Sequence, residues 1–463
     1  MPAPAASRPR IAYAAGILLV GFALSRIAGF LREVVLTSRF GATTDYDLYL
    51  TAFRIPDVVF TLVAGGALGS TLVPVFSDRK EHGETGAVAR LAGTVFSLIG
   101  AAAVIAAVAG FALAPMLAPL LGPGFGPEDQ AQLALLIRIL LLQPILLGVS
   151  EVLTRYLNIQ GHFVTTALAP ALYNLPIILA ALVFGRSLGS TGLALGVVAG
   201  AILYFLVQLP PALRSGFRFL PSFSLGDPAL GQIARLMAPR MIGQGAVQLS
   251  FILTTRLATQ QPPGSLVALN VGWVLTMLPL GIFGMAVGNA ALPTLSAHAA
   301  RGDIDALGQT ARTTLRAIMS MVLPAALVLV VGGYWIVLLL FGRGEFTQED
   351  AARAAAALAC YAAGLPAHGA IEILTRVFFA LQDTRTPVAI GVAAMAANVA
   401  LAYAGASTFG YLSIAAALTV STVLEALLLW LLLRRRVPGL ASPIVFVPDP
   451  AAALQQVRAR FRR

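Results

Sequence analysis

The sequence is poor in charge and nearly devoid of lysine. Of 463 residues only 11% are charged, and Lys80 is the only lysine among 31 basic residues. Soluble domains carry roughly a quarter charged residues, so a soluble globular fold is excluded. One cysteine, Cys360, rules out a disulfide or a cysteine metal site within the chain, and its apolar surroundings mark it as a small core residue. No glycine-rich loop runs into a lysine, which removes an ATPase. No His, Cys or carboxylate set has metal-ligand spacing, so neither a metal nor another cofactor is expected. The loops are too short to hold the acidic or histidine clusters of a membrane glycosyltransferase or lipid phosphatase. A transporter rather than an enzyme is expected.

What the chain has instead is apolar length. Hydrophobic residues make up 58% of it. Runs of 18 or more recur, each long enough to cross a bilayer as a helix. They are continuous rather than alternating, which excludes a β-barrel. The fold class expected is an all-α polytopic membrane protein with about twelve transmembrane helices. The spans fall near 11–37, 46–75, 89–121, 131–158, 163–185, 189–212, 229–258, 266–297, 311–340, 352–381, 384–405 and 409–434. Several exceed the roughly 20 residues that a bilayer needs, which implies tilt or extension beyond it. Arg8 and Arg10 before an apolar run resemble a signal peptide. With no soluble domain following, a first transmembrane helix fits better.

The net charge of +11 could suggest nucleic acid, but the charges sit in short loops between apolar spans, so no nucleic-acid partner is expected. Their distribution gives orientation. Arg8, Arg10, Arg79, Lys80, Arg90, Arg155, Arg214, Arg218, Arg235, Arg301, Arg312, Arg316, Arg385 and Arg434 to Arg436 fall on one side. The positive-inside rule places that side, and both termini, in the cytoplasm.

The chain also repeats itself. FGPED at Phe125 to Asp129 returns as FTQED at Phe346 to Asp350, and EVLTR at Glu151 to Arg155 returns as EILTR at Glu372 to Arg376, both offset by 221 residues. VPVFSDRKEHGE from Val73 resembles LPTLSAHAARGD from Leu292, offset by 219. Six helices thus repeat as six more with the same topology, giving two parallel bundles. The lobes expected are 1–212 and 213–434, with a cytoplasmic tail over 435–463.

Charges at membrane depth are costly and should face protein or water. Glu151 with Arg155 and Glu372 with Arg376 form i,i+4 pairs; being repeated, they read as structural ion pairs, with a gate as the other possibility. His368 and Glu425 are single polar residues, read as internally hydrogen-bonded; Arg138 and Arg240 could snorkel or pair. FALSRIAGFLREVVLTSRFG, Phe22 to Gly41, is different. Arg26, Arg32, Arg39 and Arg54 gather in the first two spans with Asp47 and Asp57. Arg26 and Arg32 lie about 9 Å apart along a helix and about 120° around it. Glu33 shares the face of Arg26 and is expected to neutralise it in part. The second half has Gly243 and Leu249 where the repeat would place Arg26 and Arg32. Charge kept in one half only points to an anion, for which the planar arginine fork suits phosphate. A structural cluster and ion coupling are the alternatives. AGGALGS at Ala64 to Ser70 and FGMAVGN at Phe283 to Asn289 offer small residues for close packing or bending.

SRIAGFLREVVLTSRFGATTDYDLYLTAFRIPD from Ser25, LVPVFS from Leu72, GPGF from Gly122, TRYLNIQGHFVTTALAPALYN from Thr154, LFGRGEFTQED from Leu340 and FFALQDTRTPV from Phe378 resemble the MurJ (MviN) family of lipid II flippases. The resemblance spans roughly residues 15–435. It implies a V-shaped two-lobed transporter of the MOP superfamily, in the bacterial cytoplasmic membrane. The substrate implied is a polyprenyl-pyrophosphate glycan lipid, moved from the cytoplasmic to the outer leaflet by alternating access for cell wall synthesis, by a protein expected to be a monomer. Arg26 and Arg32 match arginines that meet the pyrophosphate; Arg54 matches a basic residue further on. Ser25, Glu33 and Asp47 are then assigned to the cavity and its gate.

Three features depart from the family. Phe60 stands where members often have a further arginine, and Trp273 and Val274 stand where an Asp-Arg pair is common. Members typically have fourteen helices, whereas this chain stops after twelve. Another polyprenyl-linked glycan, or a small-molecule exporter of the same superfamily, are the alternatives. An exporter of cationic drugs would want an acid-lined cavity, against which the arginines argue.

Overall fold

The computed structural model describes residues 8–63, 67–81, 85–217 and 226–447. Their helices in chain order are α1 (Arg8–Phe40), α2 (Thr44–Ala52), α3 (Arg54–Val63), α4 (Ala67–Glu81), α5 (Thr85–Leu121), α6 (Pro127–Leu140), α7 (Leu142–Ile159), α8 (Phe163–Phe184) and α9 (Gly189–Arg214). There follow α10 (Pro228–Ala258), α11 (Ser265–Pro279), α12 (Met285–Ala300), α13 (Ile304–Phe341), α14 (Gln348–Ala363), α15 (Leu365–Ala380), α16 (Arg385–Phe409) and α17 (Leu412–Arg436). Within the described residues, every expected span coincides with a helix or a broken helix. Among the described residues, nine helical segments are long and apolar enough to cross a membrane. The protein is an all-α polytopic membrane protein.

The breaks have a local cause. Proline lacks the N–H that would bond to the carbonyl four residues back, and its ring crowds that carbonyl. The α2–α3 break falls before Pro56, the α6–α7 break before Pro144 and the α14–α15 break before Pro366. A π turn over Leu280–Gly284 follows Pro279, between α11 and α12. The breaks at α6–α7 and α14–α15 are the same feature in the two repeats. The repeated FGPED and FTQED motifs are helix starts. Gly126 caps α6 with Pro127 at its first position. Thr347 and Asp350 form a reciprocal capping box on α14, each side chain accepting from the other's backbone N–H.

The chain divides into two compact units, 1–252 and 253–463. In the first, Leu72, Phe76, Leu91, Val95, Val152 and Leu157 build a buried core that draws on α4, α5 and α7. Tyr156 and Phe217 close it, with ring centroids 5.4 Å apart. The Tyr156 hydroxyl donates to the carbonyl of Ser215 at 2.6 Å. In the second, Trp273 of α11 packs against Tyr361 of α14 and His368 of α15. Large apolar side chains point outward on α5, α8 and α13, among them Ile105, Met116, Val183 and Val331. In water these faces would be an aggregation hazard; in hydrocarbon they cost nothing.

Arg79, at the end of α4, donates twice to the Asp227 carboxylate, one bond being 2.8 Å. These bonds, with a smaller contribution from the Ala229 backbone N–H, hold Asp227 below the usual carboxylate range. A depressed carboxylate contributes stability at pH values above its unfolded pKa of about 3.9 and loses it as pH falls through the lower folded value. Thermal stability of wild type and Asp227→Asn is therefore expected to differ at pH 5 to 7 by no more than about 1 kcal/mol, the ceiling for a partly exposed pair. The two should converge once the pH falls below the folded value. A difference that persists there would assign the effect to packing instead.

Candidate functional site

The site is built in the first unit, where α1 lies along α8. Their close approach depends on Gly21, where a Cβ would come within 2.3 Å of the Cβ of Ala167. Farther along the same contact, Arg32 Nη1 donates to Asn174 Oδ1 at 3.1 Å. Asn174 is buried, and its Nδ2 donates to the Pro170 carbonyl at 3.0 Å. Next to it, the Tyr173 hydroxyl accepts from Gln143 Nε2 of α7 at 3.0 Å. Arg32 Nε is buried and has no hydrogen-bond partner. Glu33 is also buried but serves a different neighbour: Tyr46 of α2 donates to its Oε1 at 3.0 Å. Tyr46, Tyr49 and Phe53 form a run of tilted and edge-on aromatic contacts beside it. Arg32 is therefore anchored by a neutral amide while the adjacent carboxylate is bonded elsewhere.

Glu33 and Arg26, expected on one face, are turned to different neighbours. Arg26 is exposed and lies over the Phe22 ring at 5.0 Å. Helical spacing put the two residues on one face, but the phenol of Tyr46 reaches Glu33 from α2, and helix periodicity carries no information about a neighbouring helix. Ser25, preceding Arg26, is half-buried. Asp47 is buried near the start of α2. Arg54 begins α3, with its guanidinium 5.4 Å from the Phe251 ring centre. The charges attracting the Asp57 carboxylate are Arg54 first and Arg32 second. Gln248 of α10 donates to Thr61 Oγ1 at 2.6 Å, tying α10 to α3.

Arg32, Arg54 and Asp57 thus share one polar region, while Arg39 points to the other end of α1 and donates to the Leu182 carbonyl. Sequence reading missed Tyr46, Tyr49, Gln143, Tyr173, Asn174 and Gln248. The available signal was weak: each is a polar or amphipathic residue within an apolar span. It also missed Asp45, whose carboxylate accepts from the Ser190 backbone N–H at 2.9 Å and so caps the start of α9.

Both repeated ion pairs form. Arg155 donates to Glu151 at 2.6 Å, and Tyr204 donates to the other oxygen of that carboxylate. Arg376 pairs with Glu372 and lies against Gly288 of α12, where a Cβ would meet the guanidinium carbon at 2.5 Å. This gives the glycines of FGMAVGN a packing reason. AGGALGS lies partly outside the described residues. Arg138 donates to the Phe111 carbonyl at 3.3 Å and covers its ring. The side chain of Arg240 lies outside the described residues. Phe60 packs on the core of its unit, and Trp273 belongs to an aromatic cluster. Two of the positions where the resemblance leads one to expect further charge are thus filled by packed aromatic rings.

A family model described as "Lipid II flippase MurJ" matches residues 36–448. A probable lipid II flippase MurJ of Vibrio cholerae is 31% identical over 90% of this chain and 81% of its own length. One from Haemophilus influenzae is 32% identical over 88% of this chain and 83% of its own. Among solved structures, a lipid II flippase MurJ in an inward closed conformation superposes with a TM-score of 0.78 at 18% identity, covering 96% of this chain and 91% of that one. A MATE family transporter of the MOP superfamily superposes with a TM-score of 0.73 at 15% identity, covering 92% of this chain and 99% of that one. At those identities the superpositions speak for the fold alone. The family match and the relatives reach further, and with them the chain belongs to the lipid II flippase MurJ family.

Proposed function

We propose that the protein is a multi-pass transporter of the bacterial cytoplasmic membrane that flips lipid II from the cytoplasmic to the outer leaflet. Alternating access would carry the lipid, and its product would feed cell wall synthesis. The observation that carries this reading is Arg32, a guanidinium within an apolar helix, held by the neutral Asn174. A pyrophosphate cannot cross a low-dielectric layer without a partner for its charge. An arginine whose hydrogen-bond donors are not taken by an adjacent carboxylate supplies that partner. Arg26 and Arg54 extend the cationic surface of the first unit; Ser25, Glu33 and Asp47 shape the cavity and its gate. The loop charges support cytoplasmic termini.

The test is complementation in bacteria depleted of their own lipid II flippase. Wild type is expected to restore growth, and Arg26→Ala to fail despite normal expression and membrane insertion. Failure of well-inserted wild type would move the substrate to another polyprenyl-linked glycan. Rescue by Arg26→Ala as well would remove that exposed arginine from the binding surface.

A further inference from the structure

We propose that Asn174 is the positioning residue of the anion site: a neutral anchor that aims the Arg32 guanidinium without cancelling its charge. The inference rests on the reading that Arg32 binds the diphosphate and names what makes it competent to do so.

The direction of the Asn174 amide is set by its two partners. Its Nδ2 donates to the Pro170 carbonyl at 3.0 Å, so Oδ1 is the end that accepts from Arg32 Nη1 at 3.1 Å. A flipped amide would set N–H against N–H and oxygen against oxygen. The side chain is 4% exposed, so its rotamer is fixed by packing as well. The next residue on α8, Tyr173, is itself held by Gln143 from α7. The amide therefore stands on a rigid turn.

The chemistry of the anchor matters as much as its place. A carboxylate at this position would hold the guanidinium at least as firmly, but as an ion pair it would oppose any incoming anion. Glu33 is the carboxylate nearest in sequence, and Tyr46 bonds its Oε1. Arg32 Nε is buried without an acceptor, so protein partners do not saturate the guanidinium. Orientation by a neutral group, with positive charge and donors left over, suits a site that must take up and then release a polyprenyl diphosphate.

The experiment is a titration of the purified full chain in detergent with undecaprenyl diphosphate, read by native mass spectrometry, with thermal stability measured in parallel. The proteins are wild type, Asn174→Ala, Asn174→Asp, Arg32→Ala and the double variant Arg32→Ala/Asn174→Ala. Asn174→Ala is expected to weaken binding roughly tenfold, as loss of an outer supporting residue does at metal sites. Asn174→Asp, nearly isosteric, should fold normally and bind more weakly still, because it pairs with Arg32. In the Arg32→Ala background, removing Asn174 should change nothing further. Asp binding as well as Asn would overturn the proposal, as would an Asn174→Ala loss that persists undiminished without Arg32; either result makes Asn174 a packing residue. If Arg32→Ala itself leaves binding unchanged, the diphosphate reading of Arg32 falls, and the role of Asn174 falls with it. Should Asn174→Ala fail to fold, the Asp variant alone decides.

Discussion

Arg32→Ala is expected to lower lipid II translocation by about a hundredfold or more, and Arg32→Lys by about tenfold. The first magnitude follows from removing one member of a desolvated charge pair, which costs roughly 2–5 kcal/mol, at about 1.4 kcal/mol per factor of ten. The second follows from the shape of the two cations. Arginine presents a planar fork that can bond Asn174 with one nitrogen and an anion with others, whereas lysine is a point charge on a flexible stem. With Asn174 Oδ1 taking one donor at 3.1 Å, lysine, whose three donors all sit on one nitrogen, cannot reproduce the spread of the fork between anchor and substrate. The measurement is the initial rate at which an externally added probe labels lipid II in the outer leaflet, with expression matched across variants. Equal rates for Arg32→Lys and wild type would show that charge alone suffices and that the fork has no role.

The second large effect concerns packing. Gly192, Gly196 and Gly200 recur every fourth residue along α9 and face α8. A Cβ at Gly196 would lie 2.5 Å from the Cβ of Ala180, and one at Gly200 would lie 2.4 Å from the Tyr173 carbonyl oxygen. Such contacts have no room to relax by side-chain rotation at Gly200, because the obstacle is backbone. Small residues at this spacing let membrane helices approach closely enough for dispersion to hold them. Gly200→Val is expected to destabilise by at least about 1–3 kcal/mol, the usual cost of overpacking. It should also reduce substrate binding, since α8 carries Tyr173 and Asn174 and must shift where α9 pushes on it. Gly332→Ala, in the middle of α13, where an added Cβ would come no nearer than 3.8 Å to Ile336 Cδ1, is the control and should be neutral or slightly stabilising. Thermal unfolding in detergent followed by intrinsic fluorescence compares them. A Gly200→Val protein as stable as Gly332→Ala would mean that α8 and α9 do not pack this closely.

The zipper on α9 also shows where sequence reading stops. GLALGVVAG at 192–200 is one of several glycine-bearing stretches in the chain. Spacing alone does not say which helix a glycine faces; the 2.4 Å clearance at Tyr173 does.

By itself, the sequence determined the elements. Apolar length sets a transmembrane helix because the bilayer is a fixed thickness, and the spans read from hydropathy are helices. Proline weakens a helix for a reason confined to four residues, yet Pro115, Pro170 and Pro324 lie inside continuous helices while breaks precede Pro56, Pro144 and Pro366, so which prolines break a helix was decided by the tertiary structure. The motifs FGPED and FTQED mark helix starts locally. Family membership, too, is legible in short segments at matched spacing. Only the tertiary structure decided the partners. Arg32 and Asn174 are 142 residues apart and meet because α1 and α8 lie together. Glu33 belongs to Tyr46 rather than to Arg26 because α2 brings a phenol to it. Periodicity fixes which residues share the face of one helix. The rotation and sliding of one helix against another depend on the packing of every side chain between them, and that information is spread over the whole fold rather than written at any one position.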